Sequence, residues 1–456
     1  MRIGDITVSE AVALVRRGDL DPEDLVEECL DRIRRLNSRF KAFITVFEPP
    51  VSGKGRRGAL AGAPLSIKDL FHVKGYPTTA GSIALKDNLA SYNSTVVERI
   101  LGNSGVIVGK NNLHEFTFGI TGFNPHFGTA VNPWKEGHIT GGSTSGGAVS
   151  VATGMSLAAI GTDTGGSVRV PAALCGLVGY KPSYGLISRY GVIPLSWTLD
   201  TVGVITKSVT DAALLTDSLM GPDGRDASVT VPDDFGLHPL RTSNLKRAKI
   251  GVLRKHFCDR LSEVVKERFE DVLARLDSEG AKLSEVELNG VELMSVSRSI
   301  ITHAEAAATF GKFLRERPDD VSKDLKERLI QGLMTPAPLY VNALRSIPKL
   351  IKEFRRAVKG LDALLLPTTM VTAPRHGENR VDVGGSSIDV RSALLKMVEP
   401  FNLIGAPSVS VPCGLSKEGL PVGVQLVGDL YTDRKVLSLA ASLERLMGRM
   451  RLPEVV

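Results

Sequence analysis

From Val149 to Ile160 the chain reads VSVATGMSLAAI, and each end opens into a glycine-rich turn bearing a serine, GGSTSGG at 141–147 and DTGGS at 163–167. No other stretch constrains the fold so tightly. A connector this apolar belongs in the interior, since exposure would forfeit about 25 cal/mol per Å² of apolar surface. Burial then pins both turns to the core. Glycine opens dihedrals closed to other residues and lets backbone N–H groups approach a ligand closely. The two turns around Ser143 and Ser167 therefore predict a place where backbone donors meet a nucleophile; two flexible surface turns are the competing reading.

Around this stretch, short apolar runs alternate with helical patterns. Residues 5–40 read as helical: Thr7 and Glu10 form a capping box, Asp21 precedes Pro22 as a second cap, and Leu25, Cys29, Ile33 and Leu36 recur at helical spacing. Residues 41–47 read as a strand and 49–62 as an exposed loop. Strands are predicted at 63–71, 105–110, 249–253, 363–368, 407–412 and 422–428. Helices are predicted at 94–101, after a Ser262 cap through Val265, Phe269, Val272 and Leu276, over most of 291–358, and at 432–449. Such alternation specifies an α/β protein with a largely parallel sheet covered by helices. Gly105–Lys110 invites a phosphate-loop reading, but Asn111 follows the lysine where GxxxxGK[ST] needs Ser or Thr. Arg345, Lys349, Lys352, Arg356 and Lys359 share one helix face, read as solvated, with a polyanion or partner site as the alternative.

Composition bounds the setting. A net charge of +6 from 56 basic and 50 acidic residues is too small and too dispersed to require nucleic acid. The opening MRIGDITVSEA lacks a secretory signal, and no run approaches the ~18 apolar residues of a membrane span. Cys29, Cys175, Cys258 and Cys413 show no CxxC spacing, which predicts free thiols in a reducing compartment and no metal site. A soluble, cytoplasmic protein is the reading.

The common hydrolase patterns are missing: there is no GxSxG elbow, no HExxH, and none of the eight histidines is placed as an evident base. One base stands out. Lys68 lies inside the apolar run APLSIKDLF, where lysine is rare unless paired or functional; an ion pair with Asp69 or a snorkelling side chain is the structural alternative. Desolvation disfavours the ammonium, so burial can leave a neutral amine able to accept a proton from a serine.

GGSTSGGA at 141–148, GTDTGGSVRVP at 161–171 and CGLVGYKPSYG at 175–185, with SIKD at 66–69 and the segment 407–428, together resemble the amidase signature family. The likeness covers nearly the whole chain and is densest over 60–215. It implies one domain over 1–456, with an N-terminal helical part at 1–62, a core at 63–215 and a C-terminal part at 216–456 that shapes the substrate pocket. It also implies a large mixed sheet with helices on both faces. Carried over by position, Ser167 is the nucleophile, Ser143 the bridging serine after a cis peptide at Gly142, and Lys68 the general base. The oxyanion is expected on backbone N–H groups around Thr164, Gly165, Gly166 and Ser167. Asp163 and Arg169 are expected as a supporting ion pair, and Ser145 as a hydrogen-bonding loop residue. The implied substrate is a small-molecule amide, with no cofactor or metal; the chain could act as a homodimer.

Within the family, residues 161–215 most resemble the A subunit of glutamyl-tRNA(Gln) amidotransferase, which works with B and C subunits and tRNA. The places corresponding to its glutamine-anchoring arginine and aspartate fall near Pro348 and Leu395, with Arg345 the nearest cation to the first. A zwitterion buried without charge partners loses hydration uncompensated. The resemblance therefore favours a stand-alone amide hydrolase, with the amidotransferase subunit as the alternative. A noncatalytic binding protein and a nucleotide-binding protein fit less well, given Lys68, Ser143 and Ser167 and the missing phosphate fingerprints.

Overall fold

The structure, a computed structural model, describes residues 6–55 and 57–455; Asp5, where the expected N-terminal helical segment begins, lies outside them. In chain order the strands are β1 (Phe43–Ser52), β2 (Pro64–Lys68), β3 (Val106–Asn111), β4 (Ala158–Asp163), β5 (Val178–Lys181), β6 (Thr201–Thr206), β7 (Lys249–Val252), β8 (Lys282–Glu285) and β9 (Ala363–Pro367). They continue with β10 (Arg380–Val383), β11 (Ser386–Asp389), β12 (Ser408–Leu415) and β13 (Pro421–Val427). Eleven strands form one mixed sheet in the order β1-β3-β2-β4-β6-β5-β12-β13-β9-β7-β8, while β10 and β11 make a separate hairpin.

The expectation of a largely parallel sheet is corrected. Only β2 with β3 and β4, and β7 with β8 and β9, run parallel; the six remaining pairs of this sheet among the described residues are antiparallel. Strands buried at every residue, such as β4 and β9, are covered on both faces, and helix cover produces this for either direction. The end of β1 also differs from expectation. It continues through Glu48, Pro49 and Pro50 to Ser52, with a register shift between Val46 and Val51. As an edge strand bonded only to β3, it tolerates prolines that a central strand could not.

Helix starts follow local chemistry where a side chain reaches the backbone. Thr7 and Glu10 close the capping box on the helix Val8–Arg17, and Asp21 accepts from the Glu23 N–H ahead of the helix Pro22–Phe40. Ser262 precedes the helix Glu263–Ser278 but makes no cap bond. The basic face of the helix Ala337–Ala357 is exposed, with Leu350 and Phe354 buried on the other side. No helix among the described residues is long and apolar enough to cross a membrane.

The apolar connector is buried from Val149 to Ile160. It begins within the helix Ser145–Ala152, entirely buried and packed on β2, β3 and β4. A Cβ on Gly146 would sit 2.2 Å from the Ala42 carbonyl oxygen and 2.6 Å from the Asn112 nitrogen. Glycine there permits close packing of helix on sheet and donates nothing to a ligand. β4 then carries the chain straight to Asp163 and the second turn.

Candidate active site

β2 ends at Lys68 in the sheet interior, between β3 and β4, and the side chain is 0% exposed. Its Nζ lies 2.8 Å from Ser143 Oγ, 2.8 Å from Thr117 Oγ1 and 3.0 Å from Thr162 Oγ1. The alternative pairing with Asp69 does not form: Asp69 faces Lys110 at 2.5 Å. Successive side chains in an extended chain point to opposite faces, so neighbours in sequence are separated here. Burial pushes Lys68 down to about 7, against the pull of Asp200 and Asp163. Near neutral pH the amine therefore has a lone pair able to accept from the Ser143 hydroxyl.

Ser143 is 0% exposed and follows a cis peptide bond from Gly142. Its Oγ also lies 2.5 Å from Thr117 Oγ1, so Lys68, Ser143 and Thr117 form a closed triangle. The sequence reading missed Thr117. Phe116 and Thr117 both hold left-handed backbone, with φ of 48° and 56°, and neither position carries the glycine that would announce such a turn. Conformations of this kind cost roughly 1–3 kcal/mol each and persist where surroundings enforce them. Here Phe116 stacks on Phe310 with centroids 4.2 Å apart, and its N–H donates to the Ala80 carbonyl at 2.7 Å.

Ser167, 5% exposed, lines the cavity next to the triangle. No Ser143–Ser167 side-chain hydrogen bond is made among the described residues; the turns meet through the Thr144 N–H donating to the Ser167 carbonyl at 3.1 Å. Asp163 and Arg169, both 0% exposed, form a two-pronged ion pair with contacts of 3.0 Å. Burial alone would raise Asp163, but the Arg169 charge and hydrogen bonds from Arg169 and Asn402 hold it well below the usual carboxylate range. The same carboxylate accepts from the Gly166 N–H at 2.7 Å and the Val168 N–H at 3.2 Å. Gly166 is therefore not a free oxyanion donor. Its glycine is required because φ is 110° and a Cβ would lie 2.3 Å from Val398 Cγ2. The Thr164, Gly165 and Ser167 N–H groups have no protein acceptor among the described residues. Ser145 opens the helix rather than bonding in the loop, and its buried Oγ has no partner.

The cavity holds about 400 Å³, with Thr164, Gly165 and Ser167 on one wall and Thr117–Ile120 beside them. Its other walls come from the helices Val291–Phe310 and Lys323–Leu333 and from residues 389–395. His303 lines it as a neutral imidazole, pushed down to about 4 by burial and nearby arginines although its Nδ1–H donates to the Ser299 carbonyl. Leu395 lines it as well. Arg345 and Pro348 do not: both are exposed on the helix Ala337–Ala357, which removes Arg345 as a substrate anchor. The cationic side chains present are Arg298, Arg328 and Arg391, none of which the sequence reading singled out. Helical spacing could have placed Arg298 and Arg328 on inward faces, but nothing local marked these faces as lining a cavity.

The arrangement offers a hydroxyl at a cavity wall, free backbone donors beside it, and a buried amine linked to a second hydroxyl. That combination suits nucleophilic attack on a carbonyl carbon. Residues 24–437 match the amidase family. The A subunit of the glutamyl-tRNA(Gln) amidotransferase of Halothermothrix orenii is 33% identical over 472 residues, covering 98% of each chain. A crystal structure of an amidase superposes with a TM-score of 0.87 at 34% identity, covering 97% of this chain and 100% of the other. The amidotransferase A subunit of Thermotoga maritima superposes with a TM-score of 0.85 at 33% identity, covering 100% and 99%. With its mixed sheet, its two serine turns and matches spanning its length, the chain belongs to the amidase family.

Proposed function

We propose that the protein is a stand-alone amide hydrolase in which Ser167 attacks the carbonyl, Ser143 relays its proton and Lys68 receives it. The observation that carries the chemistry is the buried Lys68 amine, 2.8 Å from Ser143 Oγ and held near a pKa of about 7. Ser167 Oγ forms a bond to the carbonyl carbon as its proton passes through Ser143 to the amine. The developing oxyanion is taken by the free N–H groups of Thr164, Gly165 and Ser167. A single such donor is worth about 3–4 kcal/mol of barrier. The proton returns to the leaving nitrogen as the C–N bond breaks, and water then cleaves the ester to release the carboxylate. The relay needs Ser167 Oγ to turn onto Ser143 Oγ, a contact of the kind that commonly tightens only with substrate bound. One domain spans the chain in this reading, since the core cluster runs from Ile6 to Leu443 and residues after 216 wall the cavity.

A fluorophosphonate should label the wild-type protein at Ser167 and leave Ser167→Ala unlabelled, read by intact mass and peptide mapping. Wild-type protein that resists the reagent while cleaving amides would sink the serine mechanism. The pH profile provides a second check. Because the neutral form of Lys68 is the base, kcat/KM should fall about tenfold per unit below roughly pH 7 and level off above it. A flat profile from pH 5 to 9 would exclude Lys68 as the base.

The names of the relatives favour a second reading, a glutaminase subunit that delivers ammonia to partner subunits. Glutaminase activity measured with and without amidotransferase B and C subunits separates the two. Activity toward glutamine only in the complex would overturn the stand-alone assignment.

A further inference from the structure

The hydrolytic step just described routes one proton through Ser143 to Lys68, and a further hydroxyl, that of Thr117, touches both. Among the described residues, three hydroxyl oxygens lie within 3.0 Å of Lys68 Nζ: Ser143 Oγ and Thr117 Oγ1 at 2.8 Å, and Thr162 Oγ1 at 3.0 Å. Thr117 Oγ1 also lies 2.5 Å from Ser143 Oγ. A neutral amine has two N–H groups and one lone pair, whereas an ammonium has three N–H groups and none. With the amine neutral, the ring of hydrogen bonds can run in either sense. Ser143 donates to Lys68 and accepts from Thr117, or it donates to Thr117, which donates to Lys68. Both senses leave one lone pair of Ser143 Oγ open for the Ser167 proton. Once that proton has moved, the ammonium has three donors, and the same three hydroxyl oxygens receive them. Ser143 Oγ then accepts from Lys68 and from Thr117, so its own proton is directed away from both, to the Ser167 side.

We infer that Thr117 is a positioning residue of the relay: it completes the acceptor set of protonated Lys68 and fills a lone pair of Ser143, turning the Ser143 proton outward. This role deepens the hydrolase reading and rests on it. The Ser167 O–H bond breaks as the bond from Ser167 Oγ to the carbonyl carbon forms. Lys68 holds the proton until the C–N bond breaks, and Ser143 then gives a proton to the leaving nitrogen as it takes one from Lys68. The backbone supports the assignment. Thr117 is 2% exposed, and its φ of 56° is an outlier for a β-branched residue. The Thr117 N–H donates to the His114 carbonyl at 2.7 Å and the Phe118 N–H to the Glu115 carbonyl at 3.1 Å, which hold the turn. Valine has nearly the same shape, but only a hydroxyl bonds Lys68 and Ser143 at once. The charges that bear on Lys68 come from other elements. Asp163, at the end of β4, is paired with Arg169. Asp200, just before β6, accepts from Thr164 Oγ1 and from the Leu195 and Ser196 N–H groups. On β3, Lys110 pairs with Asp69. A substitution at Thr117 removes none of these charges, so its effect on Lys68 reads the hydrogen bond.

Lysine labelled with ¹³C at Cε reports the titration of Lys68 in the folded protein, its resonance identified by its loss in Lys68→Met. In Thr117→Val the ammonium loses one of its three acceptors, while the neutral amine loses a weaker bond. The Lys68 pKa should therefore fall by about one unit. The acid limb of kcat/KM for butyramide and benzamide should move down by about the same amount, and kcat on the plateau should fall about tenfold. Thr117→Ser should restore both. An unchanged titration and pH profile in Thr117→Val overturn the role whatever the fall in rate, because lost packing lowers kcat without moving Lys68. If Thr117→Val does not fold, as read by its thermal midpoint, Thr117→Ala against Thr117→Ser makes the same comparison. Turnover and labelling keep the two readings apart. An unchanged titration beside amide turnover and a labelled Ser167 removes the role of Thr117 and keeps the hydrolase. A lowered titration in a protein whose wild type neither cleaves amides nor takes label on Ser167 keeps the bond to Lys68 and removes the hydrolase.

Discussion

Lys68→Ala should lower kcat by about 10²- to 10⁴-fold, the range for losing a general base, while the protein stays folded. Amide turnover under single-turnover conditions reads the loss. The circular dichroism spectrum and the thermal midpoint read the fold. Stability should move against activity. Burial lowers the folded-state pKa of Lys68 to about 7 from the 10.5 ordinary for lysine, so between these values the unfolded chain binds more protons than the native one. Wild-type stability therefore rises with pH across that window, and the burden of the buried amine is fully present below pH 7. An apolar replacement removes it, so Lys68→Met should compare more favourably with the wild type at pH 6 than at pH 9. Retained turnover would refute the relay. A pH-independent stability difference would show that the amine is not titrating as its burial requires.

Arg169→Met should be the most destabilising single change in the site, lowering stability by about 3–5 kcal/mol because it strands the Asp163 carboxylate in the interior. The loss should appear as a lower urea midpoint. Activity should fall with it even under conditions where the variant is folded, since Asp163 accepts from Gly166 and Val168 and so shapes the turn that presents Ser167. Replacing both partners, Asp163→Asn with Arg169→Met, should recover part of the stability and none of the activity. That split distinguishes a carboxylate that frames the oxyanion loop from an ion pair that only stabilises. A folded, fully active Arg169→Met would mean that the turn keeps its shape without the pair.

Much of the chain could be read locally. Capping at Thr7 and Asp21, the helical spacing of Leu25, Cys29, Ile33 and Leu36, and the apolar runs that became β2 and β9 depend on side chains within a few residues of one another. Strand direction could not be read this way, because helix cover buries antiparallel strands as fully as parallel ones. The prolines of β1 looked like a loop because their tolerance depends on an edge position, which is a property of the whole sheet.

The site divides along the same line. The sequence by itself determined that Ser143 and Ser167 sit on two glycine-rich turns tied to one buried connector, and that Lys68 is a lysine in a strand-like apolar run. Composition and spacing over short distances carry that information. Only the tertiary structure decided that Lys68 meets Ser143 across 75 positions and that Asp69 turns to Lys110. It also decided that Thr117 closes the triangle, that Gly166 is held by Asp163, and that Arg298, Arg328 and Arg391 converge from three segments. These placements are set by strand order and helix packing, which bring together groups that share no local pattern.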